Sequence, residues 1–219
     1  MHKGVFEGKN ANGQKVKVLI LGESHHISTD PSVTTDKIAG VPASYTTAAV
    51  VQEHLESLKN EKQGIKHPFL TKIAQTFGAE DEDAFWQSVY FGNYIDVLCG
   101  IGNSVAKNQI EYNDNRIKYN DQLFQFVNEH KIGKIFCFSI LAYKSLPSLT
   151  DDEKSLWETI GRRGNRRVFL RQRQYKAGLQ HGEASVILQQ NLRVYGISHP
   201  QAKGGYSPEM YAAALQCQV

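Results

Sequence analysis

Cysteine is scarce in this chain of 219 residues: Cys99, Cys137 and Cys217 are odd in number, widely separated and form no metal- or redox-type CxxC pair. That excludes a disulfide framework and any four-cysteine cluster, and suits ordinary thiols of a reducing compartment. Long apolar runs are missing too, with nothing approaching the ~18 residues of a membrane span. The first stretch, MHKGVFEGKNANGQKVKV, has neither a continuous apolar segment nor a small-residue cleavage site, so a cytoplasmic protein is expected, with no membrane partner. No G-x-G-x-x-G run and no Walker-type lysine loop occurs, which disfavours dinucleotide-dependent or nucleotide-fuelled chemistry. With no internal repeat and no Pro- or Ser-rich linker, residues 1–219 read as one domain.

What is present fits a packed core: 41% of residues are apolar and 21% charged. The net charge of +3 is uninformative, but its distribution is not. Six arginines crowd GRRGNRRVFLRQRQ between Arg162 and Arg173, while acids gather at 80–83 and 151–153. A one-sided cationic surface is one reading; a solvated face, or pairing with the acidic segments, is the other.

VKVLIL (16–21) reads as a strand buried on both faces, leaving the polar cluster GESHHIST at its carboxyl end. Residues 40–45 read as a loop. Apolar spacing predicts helices over 47–60 and 68–77, and a helical turn over 83–88. VYFGNYIDVL (89–98) reads as a strand or strand edge, with a Gly-Asn turn as the alternative, and 99–115 as loop. Helix is expected over 116–129, strand over 134–139, a short helix over 140–147 and a polar helix over 152–160. The segment 161–190 is left open between a hairpin and a linker. LRVYGIS (192–198) is the last strand, and Ser207, Pro208 and Glu209 suit a helix start. Strands interrupted by helices predict a parallel α/β sheet.

In such sheets the carboxyl ends of neighbouring strands converge on one crevice. Glu23, Ser24, His25 and His26 would then face Asn93, Ser139 and His199. Each alone has a bland explanation: a cap, a turn, a residue before proline. Three strand ends each carrying a compact polar group invite a mechanistic reading.

LILGESHH, FGNYIDVL, FSILAYKSLP and VYGISHPQ, in this order and spacing, resemble successive signature segments of the uracil-DNA glycosylase superfamily, over Val16 to Pro200. The resemblance implies a three-layer α/β/α sandwich around a four-stranded, mainly parallel sheet. It implies hydrolysis of the N-glycosidic bond of uracil or another damaged base in DNA, a DNA-repair activity that needs no cofactor. Glu23 would match the residue that handles the attacking water, and His199 the histidine beside the base O2. Asn93 would read the base edge, and Tyr45, in the loop Val41–Tyr45, would offer a stacking floor. Ser24 and His25 stand where the family usually has a small residue and proline, so they would reshape the base pocket. Single-stranded or mismatched DNA is the implied partner, contacted by Arg162, Arg163, Arg166, Arg167 and Lys203, with no obligate protein partner.

The chemistry agrees with those roles. A base must leave the duplex to be reached, and an amide both donates and accepts at its edge. Departure of a pyrimidine anion leaves positive character on the sugar and negative charge on the ring oxygen, so a carboxylate and a donor are wanted at opposite ends of the breaking bond. Three rivals stand beside this reading. Ser24 or Ser139 with His25, His26 or His199 would make a hydrolase, though without the G-x-S-x-G elbow. Glu23 with those histidines would suit a zinc or harder divalent ion, though the spacing matches no local metal motif. A catalytically inactive protein would use the arginines to hold nucleic-acid phosphates.

Overall fold

The computed structural model describes residues 5–23, 25–27, 47–60, 64, 66–95, 98–101, 105–151, 153–200 and 206–215, with the backbone alone at 25–27, 98–101 and 105–113. In chain order the first elements are β1 (Phe6–Glu7), a 3-10 turn (Ala11–Gly13), β2 (Lys17–Gly22), β3 (His25–Ile27) and the helices α1 (Thr47–Lys59), α2 (Pro68–Thr76) and α3 (Glu82–Gln87). There follow β4 (Tyr90–Asn93), β5 (Leu98–Ile101), α4 (Val105–His130), β6 (Ile132–Cys137) and α5 (Ile140–Ser145). The last described elements are β7 (Lys154–Arg163), β8 (Arg166–Tyr175), β9 (Leu192–Gly196) and α6 (Pro208–Leu215).

The main sheet has seven strands in the order β1-β4-β2-β6-β9-β8-β7, and β3 pairs with β5 in a separate two-stranded sheet. β4, β2, β6 and β9 run parallel, whereas β1 at one edge and β8 and β7 at the other run antiparallel to their neighbours. The expected four-stranded, mainly parallel sheet is therefore corrected to a seven-stranded mixed one. The count of four is implied by the resemblance, while the reading of the residues leaves 161–190 open. β7 is exposed along most of its length and β8 buries only Val168, Leu170 and Tyr175, so neither reads as a continuous run buried on both faces.

Burial follows the pleat. Leu19 and Leu21 of β2 join Ile135 and Cys137 of β6 in a core with Tyr119, Leu123, Phe124 and Val127 of α4. Ile20 and Phe136 point the other way, into a core with Val51 and Leu55 of α1, Leu70 and Ile73 of α2, and Tyr211 and Leu215 of α6. Alternate side chains of a strand face opposite sides, so one apolar run fills both cores.

Two further expectations are overturned and a third is shortened. Residues 153–160 form no helix: Trp157, Thr159 and Ile160 suit a strand, and β7 pairs with β8 from Lys154↔Gln174 to Arg163↔Arg166. Gly164, at φ +58°, with Asn165 closes this hairpin, a two-residue turn that uses glycine's access to positive φ. Residues 99–101 belong to β5 and 105–115 to α4 instead of a loop: no glycine or proline interrupts 103–132, and α4 runs 26 residues. The strand expected at 89–98 stops at Asn93, where Tyr94 and Ile95 turn their N–H groups onto the carbonyls of Gly22 and Glu23, at 3.0 and 2.9 Å.

Capping places the short helices. Asp81 accepts from the Ala84 N–H at 3.0 Å to start α3, and Ser139 from the Ala142 N–H at 3.1 Å to start α5. Pro68 opens α2, where its missing N–H is harmless. Among the described residues no helix is long and apolar enough to cross a membrane.

Candidate active site at the carboxyl edge of the sheet

The parallel strands bring Asn93, Glu23, Ser139 and His199 to one edge, in the strand order β4, β2, β6, β9. Asn93 ends β4, Glu23 follows β2, Ser139 lies two residues past β6 and His199 three past β9. Adjacent strands lie ~4.8 Å apart, so β2 and β9 are separated by roughly 10 Å.

Asn93 is buried and in register with Gly22. Its Nδ2 donates to Thr47 Oγ1 at 3.1 Å, at the first turn of α1. Its Oδ1 lies directly over the Gly22 Cα, where any β-carbon would collide with it. Glycine at 22 is thus what lets the amide lie across the end of β2.

Glu23 receives a hydrogen bond from Ser139 Oγ at 2.6 Å, a length typical of a donor facing an ionised acceptor. The same Ser139 oxygen accepts from the Ala142 N–H, so the start of α5 fixes the serine and the serine aims the carboxylate. A hydroxyl has one proton to give, and here it goes to a carboxylate instead of a histidine. Nearby, burial pushes the Cys137 thiol up to about 12, which leaves it a core residue with no nucleophilic role.

His199 is positioned by α2. Its ring stacks on Phe69 at a centroid separation of 5.0 Å and an interplanar angle of 25°. Lys72 Nζ, one turn along the same helix face, donates to the Pro200 carbonyl at 3.4 Å. The loop leading there is tied at Ile197, whose N–H reaches the Cys137 carbonyl at 2.8 Å, and at Ser198, whose N–H reaches Tyr211 Oη at 3.1 Å. Tyr211 Oη in turn donates to the Phe169 carbonyl of β8 at 3.0 Å.

β8 is antiparallel to β9 and pairs Arg171 with Gly196, so its earlier residues run past the end of β9 on this same edge. The hairpin tip carries Arg162, Arg163, Arg166 and Arg167, all exposed. Arg163 Nη1 donates to the Tyr206 carbonyl at 2.7 Å.

Tyr45, Ser24 and Lys203 lie outside the described residues, as do the side chains of His25 and His26, although the backbone of both belongs to β3. Among the described residues no group of three or more His, Cys, Asp or Glu is placed to hold a metal ion. Sequence reasoning missed Thr47, Phe69, Lys72 and Tyr211 as supports. The i, i+3 spacing of Phe69 and Lys72 marks a shared helix face but not the loop it meets. No protein-family model matches the chain, and a search of curated proteins finds no significant match.

Proposed function

We propose that this protein is a DNA glycosylase of the uracil-DNA glycosylase kind, hydrolysing the N-glycosidic bond of uracil or another damaged base. The observation that carries the reading is the convergence of Asn93, Glu23 and His199 on one sheet edge, from strands that the sequence separates by scores of residues.

The roles follow from the groups. The Asn93 amide, held by Thr47 and Gly22, is oriented before a base arrives, so recognition wastes little ordering entropy. Glu23, aimed by Ser139, orients the attacking water and stabilises positive charge on the sugar. His199 supplies a donor where negative charge grows on the leaving base. Ser24, His25 and Tyr45 would line the pocket, and Arg162, Arg163, Arg166, Arg167 and Lys203 would neutralise DNA phosphates. Ser139 gives its proton to Glu23, and among the described residues no histidine is bonded to it as a serine hydrolase requires.

The test is release of free base from uracil-containing single-stranded or mismatched DNA, read as abasic sites over a panel of modified bases. Glu23→Ala and His199→Ala should each lower the rate of the chemical step by about a hundredfold or more. Wild-type protein that releases no more base than the doubly substituted control overturns the proposal. Salt-sensitive binding without release would leave the protein a catalytically inactive nucleic-acid binder.

A further inference from the structure

The β7–β8 arm carries an aromatic strip that the catalytic reading does not use. Trp157 is 64% exposed, although indole is among the most costly side chains to leave in water. Its neighbours make it part of a surface: Arg171 lies 4.9 Å from its ring centroid, and Phe169 stands 6.2 Å away, ring to ring. Arg171 also lies 5.6 Å from the Phe169 ring. A guanidinium packed against two mutually tilted aromatic rings makes a cationic, π-rich patch.

The register fixes where this face lies. Gly92, Leu21, Cys137, Gly196, Arg171 and Trp157 are paired successively across six strands, so Trp157 is level with the strand ends that precede Asn93, Glu23, Ser139 and His199. Three strand spacings separate β6 from β7, which puts the strip roughly 15 Å to the side of Ser139 along the same edge. Beyond it the arm continues for roughly another 15 Å to the arginine tip. Between residues 154 and 175 the arm holds Lys154 and six arginines against a single acid, Glu158.

We propose that this strip is a landing platform for unpaired nucleic acid, with a base stacked on Trp157 and phosphates farther along the strand held by the tip arginines. The proposal rests on the glycosylase reading for the direction of the strand, toward the site. The charge selects a polyanion, and the aromatic faces select one that carries planar rings. Every base has such a face, so the platform would engage a strand irrespective of sequence. Tyr211, bonded both to Phe169 of the arm and to Ser198 beside His199, makes the arm and the site one mechanical unit.

The experiment titrates the full chain with an oligothymidylate. The chain has two tryptophans, and Trp86 is fully buried, so quenching of the exposed indole reports Trp157 without any substitution. We expect quenched emission, and affinity about tenfold weaker in Trp157→Ala but largely kept in Trp157→Phe, which preserves a ring. The salt dependence should be unchanged in Trp157→Ala and shallower in Arg162→Ala/Arg167→Ala, since stacking releases no counterions. Unquenched emission on saturation, or Trp157→Ala binding as tightly as wild type, overturns the platform. So does an emission change given by anionic lipid vesicles or by self-association through the β7 edge, but not by the oligonucleotide. Base release that survives alongside normal binding in Trp157→Ala would remove the platform and leave the glycosylase reading intact. Quenching with no base release from any substrate would do the reverse.

Discussion

Ser139 Oγ donates to Glu23 Oε2 at 2.6 Å while capping α5, so a helix start and a candidate catalytic carboxylate share one hydroxyl. Ser139→Ala would remove both functions and confuse them, since losing a cap alone costs about 1 kcal/mol. Ser139→Asp separates them. Aspartate caps helices as well as serine does, but it sets a second carboxylate against Glu23, and two such neighbours cannot both ionise freely. The expected result is near wild-type thermal stability with the acidic limb of the base-release pH profile moved to higher pH. An unmoved limb in a stable variant would show that Glu23 is not the ionising group.

Gly22 and Asn93 make a second testable pair. Alanine at 22 must push the Asn93 amide off the end of β2, because the new methyl and Oδ1 cannot occupy the same space. Strand dihedrals accept alanine, so the fold should survive at a cost of about 1–3 kcal/mol from overpacking. We expect Gly22→Ala to raise KM for a uracil-containing oligonucleotide at least as much as it lowers kcat. Unchanged kinetics would separate Asn93 from base recognition.

Tyr211 joins the β7–β8 arm to the His199 loop through one hydroxyl. Tyr211→Phe keeps the ring in the core and deletes both hydrogen bonds, leaving a half-buried N–H and a carbonyl without that partner. The loss should be about 1–3 kcal/mol in urea unfolding. Hydrogen exchange should show faster exchange at Ser198, and not merely a uniform change. A uniform loss of protection would mean that Tyr211 serves the core alone.

The sequence made some of this visible and hid the rest for physical reasons. VLIL, FCF and VYG each fill both cores, so their burial on two faces is written in continuous apolar runs and the polar residues after them stand out. The arm is written differently. Its strands set blocks of arginine and glutamine beside short apolar runs such as VFL, a pattern that also fits a solvated helix or linker, and only the partner strand decides. α4 was half visible because its sequence holds several asparagines, which weaken a helix locally but do not break one. The supports of His199 could not be read at all, because the contact between α2 and a loop more than 120 residues away depends on how the layers stack. Ser139 was visible as a hydroxyl after a strand; its role as the donor to Glu23 required the register of β2 against β6.

The helix that holds Phe69 beneath His199 has its own pH sensitivity, through His54. This ring is fully buried in α1; its Nδ1 accepts the backbone N–H of His67 at 3.0 Å and its Nε2 donates to Glu82 Oε1 at 2.7 Å. Accepting at Nδ1 requires the neutral ring, and burial holds its pKa below the ordinary value of 6.5, with Glu82 opposing the shift and His67 and Lys66 adding to it. Glu53 pairs with the His67 ring at 3.4 Å, so it acts on His54 only at second hand. The unfolded chain takes up the proton near pH 6.5 and the folded one resists it, so the unfolded state binds more protons below that point. The stability contribution is therefore complete above about pH 6.5 and declines as the pH falls toward the folded value. His54→Asn can still accept from His67 but does not titrate. Its melting temperature should fall less than that of wild type between about pH 7 and about pH 5. Parallel curves for the two proteins would mean that His54 does not carry the acid sensitivity of this face.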